Sequence, residues 1–245
     1  EAAGLGASWK RKSSPGKDPW HREFRAYREK PLMERALAAL QGGKAEEALP
    51  TLEDFARERP DDLNVLSFLA WGRFLVGDEQ GAWEAIHQGL EVDPDSILIL
   101  RVEARIQESS GDPSAAIETL AHILRIEPND TQALRKAGRL EREAGNGERA
   151  AELWLRFLEL DGSDPEIWRA SGEVLLDLER WEDAEEVFRG ARRHRVNDAS
   201  IRAGLARALA AQERWDEAES VLLEGGGPDA PSRPLLESIR AHESP

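Results

Sequence analysis

Small and bulky apolar residues recur along this chain at a fixed step of 34 positions, with polar residues between them. Alanine stands at Ala48, Ala82, Ala116, Ala150, Ala184 and Ala218, with no gap or insertion. In the same register a small residue recurs at Ala36, Ala70, Ala104, Gly138, Gly172 and Ala206, and a bulky apolar one at Leu52, Ile86, Leu120, Trp154, Phe188 and Leu222. A period of this length is the signature of stacked helix pairs. Small residues let two helices approach closely, and large ones fill the gap between neighbouring pairs. The pattern predicts an all-α solenoid: antiparallel helix pairs stacked into a right-handed superhelix, with no strand inside 29–224.

The punctuation between the apolar columns agrees. Asp62, Ser96, Asp130, Asp164, Asp198 and Ser232 each end a period with a side chain that accepts hydrogen bonds from the free amides of a helix start. Pro165 follows Asp164 directly, where a first-turn proline is tolerated. Gly43, Gly77, Gly111 and Gly145 supply the left-handed residue that ends each first helix, and Asp112-Pro113 restarts the second. The last two periods carry Glu179 and Glu213 at that place, which costs turn stability.

These columns resemble the tetratricopeptide repeat family, whose 34-residue helix-turn-helix places Trp or Leu, Leu, Gly or Ala, Ala, an aromatic and Pro at set positions. Six repeats are read: 29–62, 63–96, 97–130, 131–164, 165–198 and 199–232. The fullest matches are Trp168, Gly172, Trp181, Ala184 and Phe188 in one repeat, and Leu66, Leu69, Ala70, Gly77, Ala82, Ile86 and Pro94 in another. Arg35, Glu103 and Ser171 depart from the expected Leu, and Gly162 and Val196 stand where Pro60, Pro94 and Pro128 set the pattern. The resemblance implies that the first helix of each repeat faces a concave groove that holds a partner protein. The family's carboxylate clamp needs an ordered set of Lys and Asn. The groove-facing stripe of the first helices offers only Lys30 and Asn64 with no second Asn, so chaperone C-termini are not expected as ligands.

Outside the repeats, residues 1–17 read as a linker, with a short basic run at Lys10-Arg11-Lys12. Asp18-Pro19 opens a helix over 18–28, where Trp20, Phe24 and Tyr27 fall on one stripe expected to pack on the first repeat. Gly225-Gly226-Gly227-Pro228 stops the last repeat, and residues 233–245 form a closing amphipathic helix with Leu235, Leu236 and Ile239 on its apolar side. An array needs such a cap to cover its last apolar face.

The net charge of −15 disfavours nucleic acid and anionic membrane as partners, since both need an electropositive footprint. No apolar run reaches the ~20 residues that span a bilayer, so no membrane insertion is expected. The absence of cysteine removes disulfides, thiolate zinc sites and cysteine nucleophiles, and fits cytoplasm or periplasm equally. The single methionine, Met33, suggests a processed chain or part of a longer polypeptide. His21, His87, His122, His194 and His242 lie far apart, and no phosphate-cradling glycine loop occurs. No catalytic, metal or cofactor site is expected.

The first-helix stripe is the informative surface. Repeat positions 2, 5, 9 and 12 share one face. In the first two repeats they read Lys30, Met33, Leu37, Leu40 and Asn64, Ser67, Trp71, Phe74, which is largely apolar. In the middle repeats they read Leu98, Arg101, Arg105, Glu108 and Gln132, Arg135, Arg139, Arg142, and Arg169 and Arg207 continue the positive line. Two plain readings compete with a binding site. Arg105 with Glu108, Arg139 with Glu143 and Arg169 with Glu173 make ordinary intrahelical pairs. Met33, Trp71 and Phe74 could be covered by the N-terminal helix. The leading expectation is a non-catalytic interaction scaffold that grips a protein or peptide segment, apolar anchors at Met33, Leu37, Trp71 and Phe74 and acidic side chains at the arginines. The alternative is a regulatory or substrate-presenting tail of a larger enzyme, such as a sulfatase-like protein. RNA binding is disfavoured by charge and by few exposed stacking aromatics.

Overall fold

The computed structural model describes the backbone of residues 19–224 and 232–243, and the side chains of 30–224 and 232–241. Thirteen helices and no strand lie among the described residues. The chain divides into two compact units, Glu1–Val102 and Glu103–Pro245. The first holds α1 (Pro19–Gln41), α2 (Ala45–Glu58), α3 (Leu63–Leu75), α4 (Glu79–Val92) and the start of α5 (Ile97–Ser109). The second holds the rest of α5, then α6 (Pro113–Ile126), α7 (Thr131–Glu143), α8 (Gly147–Leu160), α9 (Pro165–Asp177), α10 (Trp181–Arg193), α11 (Ala199–Ala211), α12 (Trp215–Leu223) and α13 (Arg233–Glu243).

The helix over 18–28 and the first helix of the first repeat run together as the single helix α1, which accommodates Pro31. The side chains of Trp20, Phe24 and Tyr27 lie outside the described residues, as do 1–17 and the Gly225–Pro228 stop. In the second unit, α13 packs on α11 and α12 through Leu236 and Ile239, both buried.

Helix starts follow the acidic caps. The Asp62 side chain accepts from the amides of Asn64 and Val65, Asp130 from Ala133, Asp164 from Glu166 and Asp198 from Ile201. Asp78 and Asp112 cap second helices in the same way. Each cap satisfies an amide that has no intrahelical partner. First helices end in the left-handed region, with φ of 73–85° at Gly43, Gly77, Gly111 and Gly145. Glu179 and Glu213 adopt the same geometry at φ 56° and 61°. A side chain there crowds the following carbonyl at a cost of about 1–2 kcal/mol, partly offset by the lower unfolded-state entropy of a non-glycine residue. Glu179→Gly and Glu213→Gly are each expected to stabilise the protein by about 0.5–1 kcal/mol. A urea midpoint that fails to rise in either variant would contradict this account.

All six column alanines, Ala48 through Ala218, are 0 % exposed. The small and bulky columns vary together in two matched versions, and in the glycine version the two are in contact. Where the bulky residue is aromatic, its small partner is glycine. A Cβ on Gly138 would lie 2.4 Å from the Trp154 indole nitrogen, and one on Gly172 would lie 2.4 Å from the Phe188 ring. The Phe188 ring also abuts Gly204 on α11, where a Cβ would come within 2.2 Å. Where the bulky residue is Leu52, Ile86, Leu120 or Leu222, the partner is Ala36, Ala70, Ala104 or Ala206. Ring area is thus gained by giving up one methyl group on the facing helix. Ser171, one of the departures from Leu, is fully buried, and its hydroxyl donates to the Ile167 carbonyl at 2.7 Å. The smaller residue therefore leaves no unsatisfied group.

Repeats of the second unit are also joined by charge. Arg180 reaches Glu148 at 2.9 Å, and Arg207 reaches Glu173 at 2.7 Å. Exposed pairs of this kind contribute at most about 1 kcal/mol each. Glu185 is different, because its side chain is only 9 % exposed. Arg214 donates to both of its oxygens at 2.8 and 2.7 Å, Gln212 donates at 2.8 Å, and Arg189 pairs with it at 2.5 Å. Burial by itself pushes the Glu185 carboxyl up. The hydrogen bonds from Gln212 and Arg214, with the charges of Arg189 and Arg214, outweigh it and hold the group below the usual carboxylate range.

Candidate functional site

In the second unit, α7 turns four basic side chains toward one recess. Arg135, Lys136, Arg139 and Arg142 line it, together with Trp154 from α8 and Asp164, Glu166, Ile167 and Ala170 at the start of α9. Its volume is about 520 Å³. The spacing of the basic residues explains the convergence: 135, 139 and 142 are one turn apart on a helix, and 136 lies beside 139. Trp154 anchors the floor. Its indole N–H donates to the Arg135 carbonyl at 3.3 Å, and the Arg142 guanidinium stacks over its ring at 5.4 Å. That cation–π contact orients a charge that is otherwise exposed to solvent.

The charges are not equally available. Arg139 pairs with Glu108 of the preceding repeat and with Glu143 at 2.8 Å, and Lys136 also reaches Glu108 at 3.4 Å. Burial pushes the Glu108 carboxyl up, but hydrogen bonding from Arg139 and the charges of Lys136 and Arg139 leave it lowered overall. Desolvation works against the Arg139 charge, and its bonds to Glu143 and Glu108 raise its pKa regardless. Arg139 is therefore mainly a tie between α5 and α7. Arg135 is more open: its side chain is 54 % exposed and meets Asp164 only at 3.7 Å. Arg142 is exposed above Trp154.

The remaining sequence-derived candidates take separate places. Arg105 is exposed on α5, where desolvation lowers its pKa against the opposing charge of Glu108. Arg169 is tied to Glu166 at 2.5 Å and to Asp198 at 3.3 Å, not to Glu173, which pairs instead with Arg207. In the first unit Arg101 is exposed on α5. Met33 and Leu37 on α1 are half-buried, as are Trp71 and Phe74 on α3, whose rings stack with centroids 5.6 Å apart. Leu75 and Val76 beside them are exposed.

Lys136, Trp154, Asp164 and Glu166 belong to the recess but not to the stripe derived from the sequence. Trp154 reads there as a packing residue. The visible signal is the spacing of about one repeat between Arg139 and Glu108, and between Arg135 and Asp164.

Among the described residues no group of side chains is arranged to hold a metal ion, and no helix is long and apolar enough to cross a membrane.

Family models of the tetratricopeptide repeat match residues 101–165, 135–197 and 175–242, more than half of the chain. The chain belongs to the tetratricopeptide repeat family. Proteins of this family are generally non-catalytic scaffolds for protein interaction. A search of curated proteins found no match. Among solved structures, PilF of Pseudomonas aeruginosa is 16 % identical with a TM-score of 0.59, over 89 % of this chain and 99 % of that one. MamA from Desulfovibrio magneticus RS-1 is 19 % identical with a TM-score of 0.55, over 68 % of this chain and 94 % of that one. A chain of the Naa15/Naa10 complex bound to HypK-THB is 16 % identical with a TM-score of 0.68, over 88 % of this chain and 34 % of that one. At these identities the likeness establishes the fold.

Proposed function

We propose that the chain is a non-catalytic interaction scaffold whose second unit grips acidic side chains of a partner protein segment in the α7–α9 recess. The observation that supports it is the convergence of four basic side chains on one recess of a chain with net charge −15. Arg135 and Arg142 are the residues that meet the ligand, since Arg139 is committed to Glu108 and Glu143. Lys136 adds charge from the side. Arg105 and Arg169 contribute to the field around the site. In the first unit, Met33, Leu37, Trp71 and Phe74 offer a separate apolar surface suited to Leu or aromatic side chains of a bound segment.

Titration of the whole chain with a labelled Glu-rich peptide tests the reading. A charge-assisted hydrogen bond contributes about 1.5–3 kcal/mol when desolvated and far less at an open rim. Arg135→Glu combined with Arg142→Glu is expected to weaken binding at least about tenfold at low salt, with helix content unchanged because both positions are exposed. The difference shrinks as salt is added. Equal affinity of the double variant at low salt removes this recess as the binding site.

A further inference from the structure

A column that runs along the second helices, and reaches the C-cap of α12 at Glu224, is polar in every repeat but one: Asp54, Gln88, His122, Arg156, Gly190 and Glu224. Two of these side chains show what the position does. Gln88 donates to the Pro60 carbonyl at 2.9 Å, and Arg156 donates to the Pro128 carbonyl at 2.6 Å. Each closes the space between successive second helices by reaching the loop one repeat back. The corresponding loop residue before Gly190 is Gly162, and its carbonyl is satisfied from elsewhere: the Trp168 indole donates to it at 2.9 Å.

This exchange opens the space. The Trp168 ring lies over Gly190, where a Cβ would come within 2.6 Å of it, and the His194 ring packs against Trp168 with centroids 5.3 Å apart. Locked between Gly162, Gly190 and His194, the indole forms a fixed wall. Between α8 and α10 a recess of about 300 Å³ remains, with Leu155, Leu158 and Val187 completing the apolar lining. Its rim is acidic. Glu159 and Glu186 stand on opposite helices and hold no ion pair among the described residues, while Asp183 is neutralised by Arg180 at 2.7 Å. Arg193 also lines the recess and is its one basic side chain.

We propose that this recess is a second docking site, which takes one large apolar side chain from a partner segment carrying Lys or Arg on either side of it. The apolar wall and floor select the inserted side chain. Glu159 and Glu186, both exposed at the recess, select the flanking charge and disfavour an acidic segment. The site is lined by α8, α10 and Trp168 of α9, and of the α7–α9 recess residues it uses none. Its ligand chemistry is of opposite sign, so either site can fail without the other.

The test is titration of the whole chain with a labelled peptide bearing one Trp between Lys and Arg residues, read by fluorescence anisotropy and by NMR shifts. Shifts are expected at Leu155 and Val187. Affinity is expected to fall about tenfold or more when the peptide Trp is replaced by Ser, and again with Glu159→Lys plus Glu186→Lys. Trp168→Leu combined with Gly190→Gln copies the Leu66 and Gln88 arrangement of the second repeat. It should fill the recess and abolish binding. Arg135→Glu with Arg142→Glu should leave binding intact. Undetectable binding, equal affinity for the Ser peptide, or unchanged affinity in the Glu159→Lys/Glu186→Lys variant overturns the proposal. Should the Trp168→Leu/Gly190→Gln chain fail to fold, the charge-reversed variant and the Ser peptide decide.

Discussion

Alanine in place of Gly138 is expected to destabilise the second unit by about 1–3 kcal/mol, although alanine is the better helix former. The added methyl group would sit 2.4 Å from the indole of Trp154, a side chain that is 1 % exposed and tied by its N–H to the Arg135 carbonyl. Trp154→Leu alone should cost about 2–4 kcal/mol by leaving a cavity. The two together restore the Ala-with-Leu version found in the first, third and last repeats. The double variant should therefore be more stable than the sum of the single losses implies, by at least about 1 kcal/mol. Urea unfolding of the four chains completes the cycle. Additive losses would show that the two columns do not constrain one another.

Arg214→Ala should cost about 1–3 kcal/mol by taking from the Glu185 carboxylate, 9 % exposed, the guanidinium nitrogen that bonds both of its oxygens. The same group sets a pH dependence whose sign follows from its lowered pKa. The folded state binds the Glu185 proton more weakly than the unfolded chain does. The resulting stability is complete above the unfolded carboxylate value of about 4.3 and is lost as pH falls through the lower folded value. In Arg214→Ala the hydrogen bonds and charge of that residue are gone, the Gln212 bond and the Arg189 charge remain, and burial still pushes the group up. Acid unfolding followed by circular dichroism should begin at higher pH in the variant than in the parent. Coincident acid transitions would mean that Arg189 and Gln212 alone hold the carboxylate.

The fold was legible because its determinants repeat. A single buried alanine says little, but six at one spacing define a helix-pair array, and the caps at Asp62, Asp130, Asp164 and Asp198 fix where its first helices start. The matching of Gly138 to Trp154 and of Gly172 to Phe188 was present in the same columns, yet it becomes a physical statement only when the two side chains are seen to meet. The candidate site was less legible. A helical stripe identifies which residues share a face and not which of them are already paired. Arg139 and Arg169 fall on the stripe with Arg135 and Arg142, but each also meets a carboxylate about 30 residues away, Glu108 in the preceding repeat and Asp198 at the end of its own. The α8–α10 recess was harder still, since it depends on a glycine whose meaning lies in the tryptophan that lies over it.

The ion pairs that join one repeat of the second unit to the next bear on how that unit comes apart. Arg139 with Glu108, Arg180 with Glu148, Arg207 with Glu173 and Arg214 with Glu185 all act between neighbours, whereas the alanine column acts inside each helix pair. Salt screens the exposed members of the first set and leaves the second untouched. Ionic strength is then a control on cooperativity, separate from intrinsic helix-pair stability. At low salt the repeats melt as one block, and at high salt the block loosens into shorter stretches that fray from the ends.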